Sequence, residues 1–298
     1  MDDNDLVTLA RMPPEEAATK LKAVGELDVA REITIKAQNQ RDAFGPFDAL
    51  PFIAKPWAYE AHVFGYIGGD AAAVMDIRPV AMVSPEKSLI GQRVIVSLDY
   101  FLVASYPGAG RHSVLVNFYA DHRLPDAVEA VSYSTVVRVR DGDRLATINL
   151  PIFIGLNVAK SGLTIRCTTV NVKSEDDEAF LSFLNSDAFK VGLKLLEHAQ
   201  PAIVPFSAMT VGVTRGIAAK SRNVAVQDFT IGLDFGGAPT GARLSLGSYV
   251  AVQVPTEARR SWSWSDWVFD GARGEIVSKD GSLLQYNAIV LGVSLLEE

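Results

Sequence analysis

The stretch from Leu145 to Lys173 constrains this chain more than any other. Nearly all of it is β-branched or large and apolar, interrupted by Pro151, Gly155 and a turn at Lys160, Ser161 and Gly162. Such runs fit pleated, buried strands. From Leu163 onward, Leu163, Ile165 and Cys167 share one face, with Thr164, Arg166 and Thr168 on the other. Past Thr169 the apolar phase moves to Val170 and Val172, as a β-bulge would produce. The stretch therefore reads as the central hairpin of a β-sandwich.

Similar runs recur from Tyr59 on. Strands are expected at about 61–67, 74–82, 92–102, 113–120, 127–140, 145–154 and 163–172, and again at 224–235, 249–254 and 285–295. Turn-forming residues separate the runs, among them Gly68 and Gly69, Pro107 and Gly108, and Gly142 between two aspartates. The expected class is mainly β: an antiparallel β-sandwich with a helical insertion at about 175–221 and a small N-terminal helical segment.

Two short helices open the chain. Pro13 and Pro14 suit a helix start, Glu15 and Glu16 complement its positive end, and Ala17, Ala18, Leu21 and Val24 follow helical spacing up to Gly25. A second stripe carries Leu27, Ala30, Ile33 and Ala37. Helices this short build no core of their own, so they must dock on the main domain, on a second copy or on a partner. On the last two readings Leu21, Val24, Leu27 and Ile33 are partner-binding residues. The domain plan is a helical pair at 1–40, a connector rich in proline and aromatic residues at 41–58, and the sandwich with its insertion at 59–298.

A formal net charge of -7 argues against nucleic acid, which needs a positive field. Cys167 is the only cysteine, so neither an intramolecular disulfide nor a thiolate zinc cluster can form. The opening residues lack the basic-then-apolar order of a secretory signal, and the expected location is the cytoplasm. The most apolar long window, 199–219, is broken by Pro201, Pro205 and Arg215, so no constitutive transmembrane helix is expected.

Chemistry-bearing residues are sparse. His112 and His122 lie ten residues apart and on one continuous strand would face the same side, which, with His62, allows a transition-metal site. No compact signature such as H-E-x-x-H is present, and turn-flanking or hydrogen-bonded core histidines account for them without a metal. Asp176 and Asp177, in the acidic run Glu175 to Glu178, offer hard oxygen ligands for calcium, with Asp141 and Asp143 as partners from another loop. A negatively charged helix start explains that run without any ion. The glycine-containing loop from Tyr106 to His112 reads either as an anion cradle or as a hairpin connection. Cys167, mid-strand and among apolar residues, reads as a buried structural thiol. No set of catalytic residues is recognisable.

The most distinctive surface-type segment is Arg259, Arg260, Trp262, Trp264 and Trp267. Tryptophan beside arginine is the composition of interface anchors, with Arg260 and the three indoles as partner-binding candidates, and also of sugar or membrane-surface platforms, unless the indoles close one end of the core. The leading functional expectation is a non-enzymatic cytoplasmic protein that binds a protein partner or self-assembles, without a cofactor. One alternative is a membrane-acting effector that is soluble when folded and inserts after rearrangement. A second is a metal-dependent enzyme using His112 and His122.

Overall fold

Alternation along the strands is matched by two facing sheets. The computed structural model describes residues 6–39, 55–69, 73–123, 128–173, 193–194, 214–220, 222–236 and 241–297. Its strands in chain order are β1 (Ala61–Gly68), β2 (Val74–Asp76), β3 (Arg78–Pro79), β4 (Arg93–Leu102), β5 (Arg111–Arg123), β6 (Val128–Arg140), β7 (Arg144–Asn157) and β8 (Leu163–Val172). They continue with β9 (Leu193–Lys194), β10 (Val224–Asp234), β11 (Ala242–Arg243), β12 (Gly247–Val254), β13 (Trp267–Asp270), β14 (Glu275–Ser278) and β15 (Ala288–Leu295).

A seven-stranded sheet in the order β3-β1-β12-β15-β4-β7-β9 faces a five-stranded sheet in the order β11-β10-β8-β5-β6. A three-stranded sheet, β14-β13-β2, completes the strand structure. The pairings are antiparallel except for two-residue parallel contacts of β9 with β7 and of β11 with β10.

The principal core lies between the two large sheets. Val94, Val96 and Leu98 of β4 and Phe153 of β7 contribute to it from one layer, and Val116 and Phe118 of β5 with Cys167 of β8 from the other. Each such side chain, fully withdrawn from water, contributes about 1.5–3 kcal/mol. A second cluster joins the outer face of the seven-stranded sheet, through Val250, Val252 and Val290, to the small sheet, through Ile276. A third places Ile217 and Ala218, from a helical turn at 214–219, over Leu115, Val170 and Val172 on the outer face of the five-stranded sheet.

The stretch from Leu145 to Lys173 is two central strands but not a hairpin. β7 pairs with β4 and β9, whereas β8 pairs with β5 and β10, so the turn at Lys160 to Gly162 carries the chain from one sheet to the other. Unbroken apolar character marks a strand with neighbours on both edges; it does not name them. Gly162 is required at this crossing: its φ is +85°, and a Cβ there would stand 1.8 Å from the Leu233 carbonyl oxygen.

The phase shift in β8 has a different cause from the one expected. The register of β8 against β5 is continuous through Val170↔Leu115 and Thr169↔Val116. Val170 and Val172 remain on the outer face, where the turn at 214–219 covers them. The irregularity at this level sits on the partner strand, where β10 carries Val226 as an extra residue between Ala225 and Gln227.

The N-terminal helices α1 (Pro14–Ala23) and α2 (Leu27–Asn39) dock on their own chain. Leu21 and Ile33 join the principal core with Leu9 and Trp57, and Val24 packs against it. As partner-binding candidates Leu21 and Ile33 are therefore already covered, while Leu27 is 62% exposed. The buried Lys20 of α1 fixes the dock, its Nζ donating to the carbonyl oxygens of Ala218 (2.9 Å), Lys220 (2.9 Å) and Asn223 (3.0 Å).

Residues 41–54 of the connector lie outside the described residues, as does most of the expected helical insertion. Within that insertion Leu193–Lys194, expected in a helix, instead form β9. A two-residue pairing needs no period at all, so the spacing of the leucines carries no warning of it.

Candidate functional site: a groove of arginine and tryptophan

Five segments distant in sequence meet where the start of β1 crosses the middle of β10. A 3-10 turn at Leu9–Arg11 brings Arg11, β1 brings His62 and Phe64, β8 brings Arg166, and β10 brings Asp228. The fifth is a single helical turn, α3 (Ala258–Ser261), which brings Arg259. Together they line an open cleft of about 490 Å³. A second cleft of about 530 Å³ shares His62, Phe64 and Arg259 as a common wall and continues past Met82, Trp262 and Trp264. The two form one groove, guanidinium-rich at one end and aromatic at the other.

At the polar end two of the three arginines are paired. Arg11 Nε lies 2.7 Å from Glu60 Oε1, with both side chains well exposed. Arg166 holds Asp228 through two bonds, Nε to Oδ1 at 2.9 Å and Nη2 to Oδ2 at 2.8 Å, the planar fork suited to a carboxylate. Arg259 is exposed and has no carboxylate partner among the described residues. Three guanidinium groups against Glu60 and Asp228 leave the groove a single positive charge in excess, on a chain whose formal net charge is -7.

His62 adds no charge at neutral pH. Burial of its ring pulls its pKa down from 6.5 to about 4, outweighing the hydrogen bonds that would raise it. The ring stands 5.0 Å from that of Phe229 and 6.5 Å from that of Phe64, as part of an aromatic floor.

At the other end the indoles are layered. Trp262 stacks on Trp267 at 5.4 Å and 2°, and meets Trp264 edge-on at 5.4 Å and 72°. Trp264 belongs to the outer core with only 6% exposure, whereas Trp262 and Trp267 are half-buried. The segment is thus core on one side and surface on the other. Arg259, not Arg260, lines the groove; successive residues of a helical turn point about 100° apart, so only one of the pair can face it.

The expected metal residues are not brought together. His112 and His122 both lie on β5, and ten residues of strand separate them by about 33 Å. His112 is fully buried, with Nε2 2.9 Å from Asp141 Oδ1 and Nδ1 3.2 Å from Asn171 Nδ2. Burial alone would raise the Asp141 pKa, but the His112 contact and the Tyr106 amide hold it below the usual carboxylate value. His62 is on the other sheet, Asp176 and Asp177 lie outside the described residues, and Asp143 accepts the Arg140 amide at 2.7 Å. Among the described residues no group of three or more potential ligands converges.

The loop from Tyr106 to His112 is occupied by the chain itself. The Gly108 amide donates to the Glu26 carboxylate at 3.0 Å, and Lys173 Nζ donates to the carbonyls of Ala109 and Arg111. Burial raises the Cys167 pKa well above its ordinary value, which keeps it a thiol.

Arg11, Arg166 and Asp228 are not among the site residues expected from the sequence. The available signal was an arginine within an otherwise apolar central strand, since such a charge demands a carboxylate on a neighbouring strand. Comparison of the chain with protein-family models, with curated proteins and with solved structures finds no match. Among the described residues no helix is long and apolar enough to cross a membrane.

Proposed function

We propose that this chain is a non-enzymatic binding protein whose groove takes an acidic, aromatic-containing segment of a protein partner. One observation carries the reading: Arg259 stands on the wall shared by an arginine-lined cleft and a tryptophan-lined cleft, and it lacks a carboxylate partner among the described residues. Arginine and tryptophan dominate binding energy where a partner excludes water, and an exposed guanidinium matches a carboxylate in two-point geometry. The Arg11 and Arg166 ion pairs line the cleft without consuming Arg259. A cytoplasmic site of action accords with the single cysteine.

A displayed library of random peptides tests this reading. Selected sequences are expected to carry Glu or Asp within a few residues of an aromatic side chain, and selection is expected to vanish with Arg259→Glu. Enrichment of basic peptides, or an unaltered set on the variant, would contradict it. Binding to anionic vesicles that is lost in the same variant, without any peptide selection, would move the site to membranes instead.

A further inference from the structure

A second cavity, of about 620 Å³, lies between the outer face of the seven-stranded sheet and the three-stranded sheet. Its polar floor is made by a β-bulge. On β4, Leu98 pairs with Leu291 and Tyr100 with Val290, so Asp99 is the extra residue against β15; the β7 pairing also skips it, passing from Leu150 to Ala146. The bulge turns two consecutive residues outward. Leu98 stays in the principal core, while both Asp99 and Tyr100 line the outer cavity.

The Asp99 carboxylate is held at both oxygens. Oδ1 accepts from the Ser97 hydroxyl at 2.6 Å and Oδ2 from the Ser248 hydroxyl at 3.0 Å. It lies over Gly292 so closely that a Cβ there would be 2.4 Å from Oδ2. Two neutral donors orient the group but do not neutralise it, and no cation among the described residues reaches it. Burial accordingly raises its pKa. The opposite wall is soft and aromatic, with Met75 and Phe269 facing the Tyr100 ring, whose centroid lies 6.5 Å from that of Phe269 at 84°.

We propose that this cavity binds a small organic cation, its ammonium group against Asp99 and its alkyl part against Met75 and Phe269. A fixed carboxylate without a counter-charge, beside aromatic rings that favour a cation at their faces, is complementary to an amine in both charge and shape. The site is independent of the arginine groove and would select the opposite charge.

Titration of the full chain with butylammonium and tetramethylammonium chlorides, followed by protein NMR shifts or calorimetry, tests the proposal. Neutral 1-butanol and tert-butyl alcohol serve as shape controls. Saturable binding of at least one ammonium ion is expected, weakened roughly tenfold or more by Asp99→Asn, with no saturation by the alcohols. Met75→Trp, which fills the cavity and leaves Asp99 in place, is expected to abolish binding and serves if Asp99→Asn does not fold. No saturation by either ammonium ion, equal binding of the alcohols, or unchanged binding by either folded variant would overturn the assignment.

Discussion

Lys20 Nζ of α1 lies 2.9 Å from the carbonyl oxygen of Ala218, a residue 198 positions away at the end of the helical turn over the five-stranded sheet. With Lys220 and Asn223 as further acceptors, one ammonium group donates to three carbonyls at and just beyond the end of the turn. Burial pulls the Lys20 pKa below the ordinary lysine value. This is a buried polar tie between the N-terminal helices and the sandwich, so its removal is expected to be felt globally. Lys20→Met should cost about 2–3 kcal/mol in urea unfolding, because the stem is replaced but three carbonyls lose the ammonium donor. The exposed Lys22→Met should change stability by less than about 0.5 kcal/mol, and equal effects from the two would refute the tie.

His62 makes stability depend on acid in a defined window. Its pKa is about 4 in the folded protein against 6.5 when free, so between these values the unfolded chain binds the proton and the folded one does not. Its contribution is fully present above pH 6.5 and falls away as the pH drops towards 4. Unfolding at pH 7 and at pH 4.5 should show wild type losing about 2–3 kcal/mol more than His62→Gln. Parallel losses in the two proteins would show that the imidazole is not held neutral.

Gly162 is a point where one carbon decides the fold. Gly162→Ala forces a Cβ into the Leu233 carbonyl at a left-handed backbone angle. A loss of more than about 3 kcal/mol, or failure to accumulate folded protein, is expected. Gly142→Ala, at a comparable φ of +81° with open space around it, should cost only about 1 kcal/mol. A mild Gly162→Ala phenotype would mean that the crossing between sheets does not pass against β10.

The contrast between those glycines marks what was legible in advance. Strand positions were, because alternation reports burial directly: the expected spans at 92–102, 163–172 and 224–235 match β4, β8 and β10 nearly end to end. Strand partners were not, since β7 and β8 read as a hairpin although they belong to different sheets. Periodicity is local, and the choice between a hairpin and a crossing rests on contacts such as Gly162 with Leu233, more than 70 residues away. The same limit applies to function. Trp262 and Arg259 were visible as a segment, whereas Arg11 and Arg166 reach the groove only through tertiary folding. The strands β13 and β14, four residues each, are too short for a period to show.

The Arg166 and Asp228 pair supports the groove and should act on stability before binding. Asp228 has a nearly buried side chain, at 7% exposure, and Arg166 is at 27%. Asp228→Ala leaves a partly buried guanidinium without this carboxylate and should cost about 2–4 kcal/mol. The exposed Glu60→Ala, at the other ion pair, should cost under about 1 kcal/mol, and the reverse order would contradict the stated burial.

Tryptophan fluorescence during titration with an acidic peptide tests the groove most directly, since Trp262, Trp264 and Trp267 lie at or beside it. A ten-residue peptide alternating glutamate and phenylalanine is expected to produce a saturable change that weakens with added salt and disappears in Arg259→Glu. A lysine and phenylalanine peptide of the same length that binds as well, or a glutamate peptide that leaves the emission unchanged, would contradict the assignment of this face as an acidic-segment docking site.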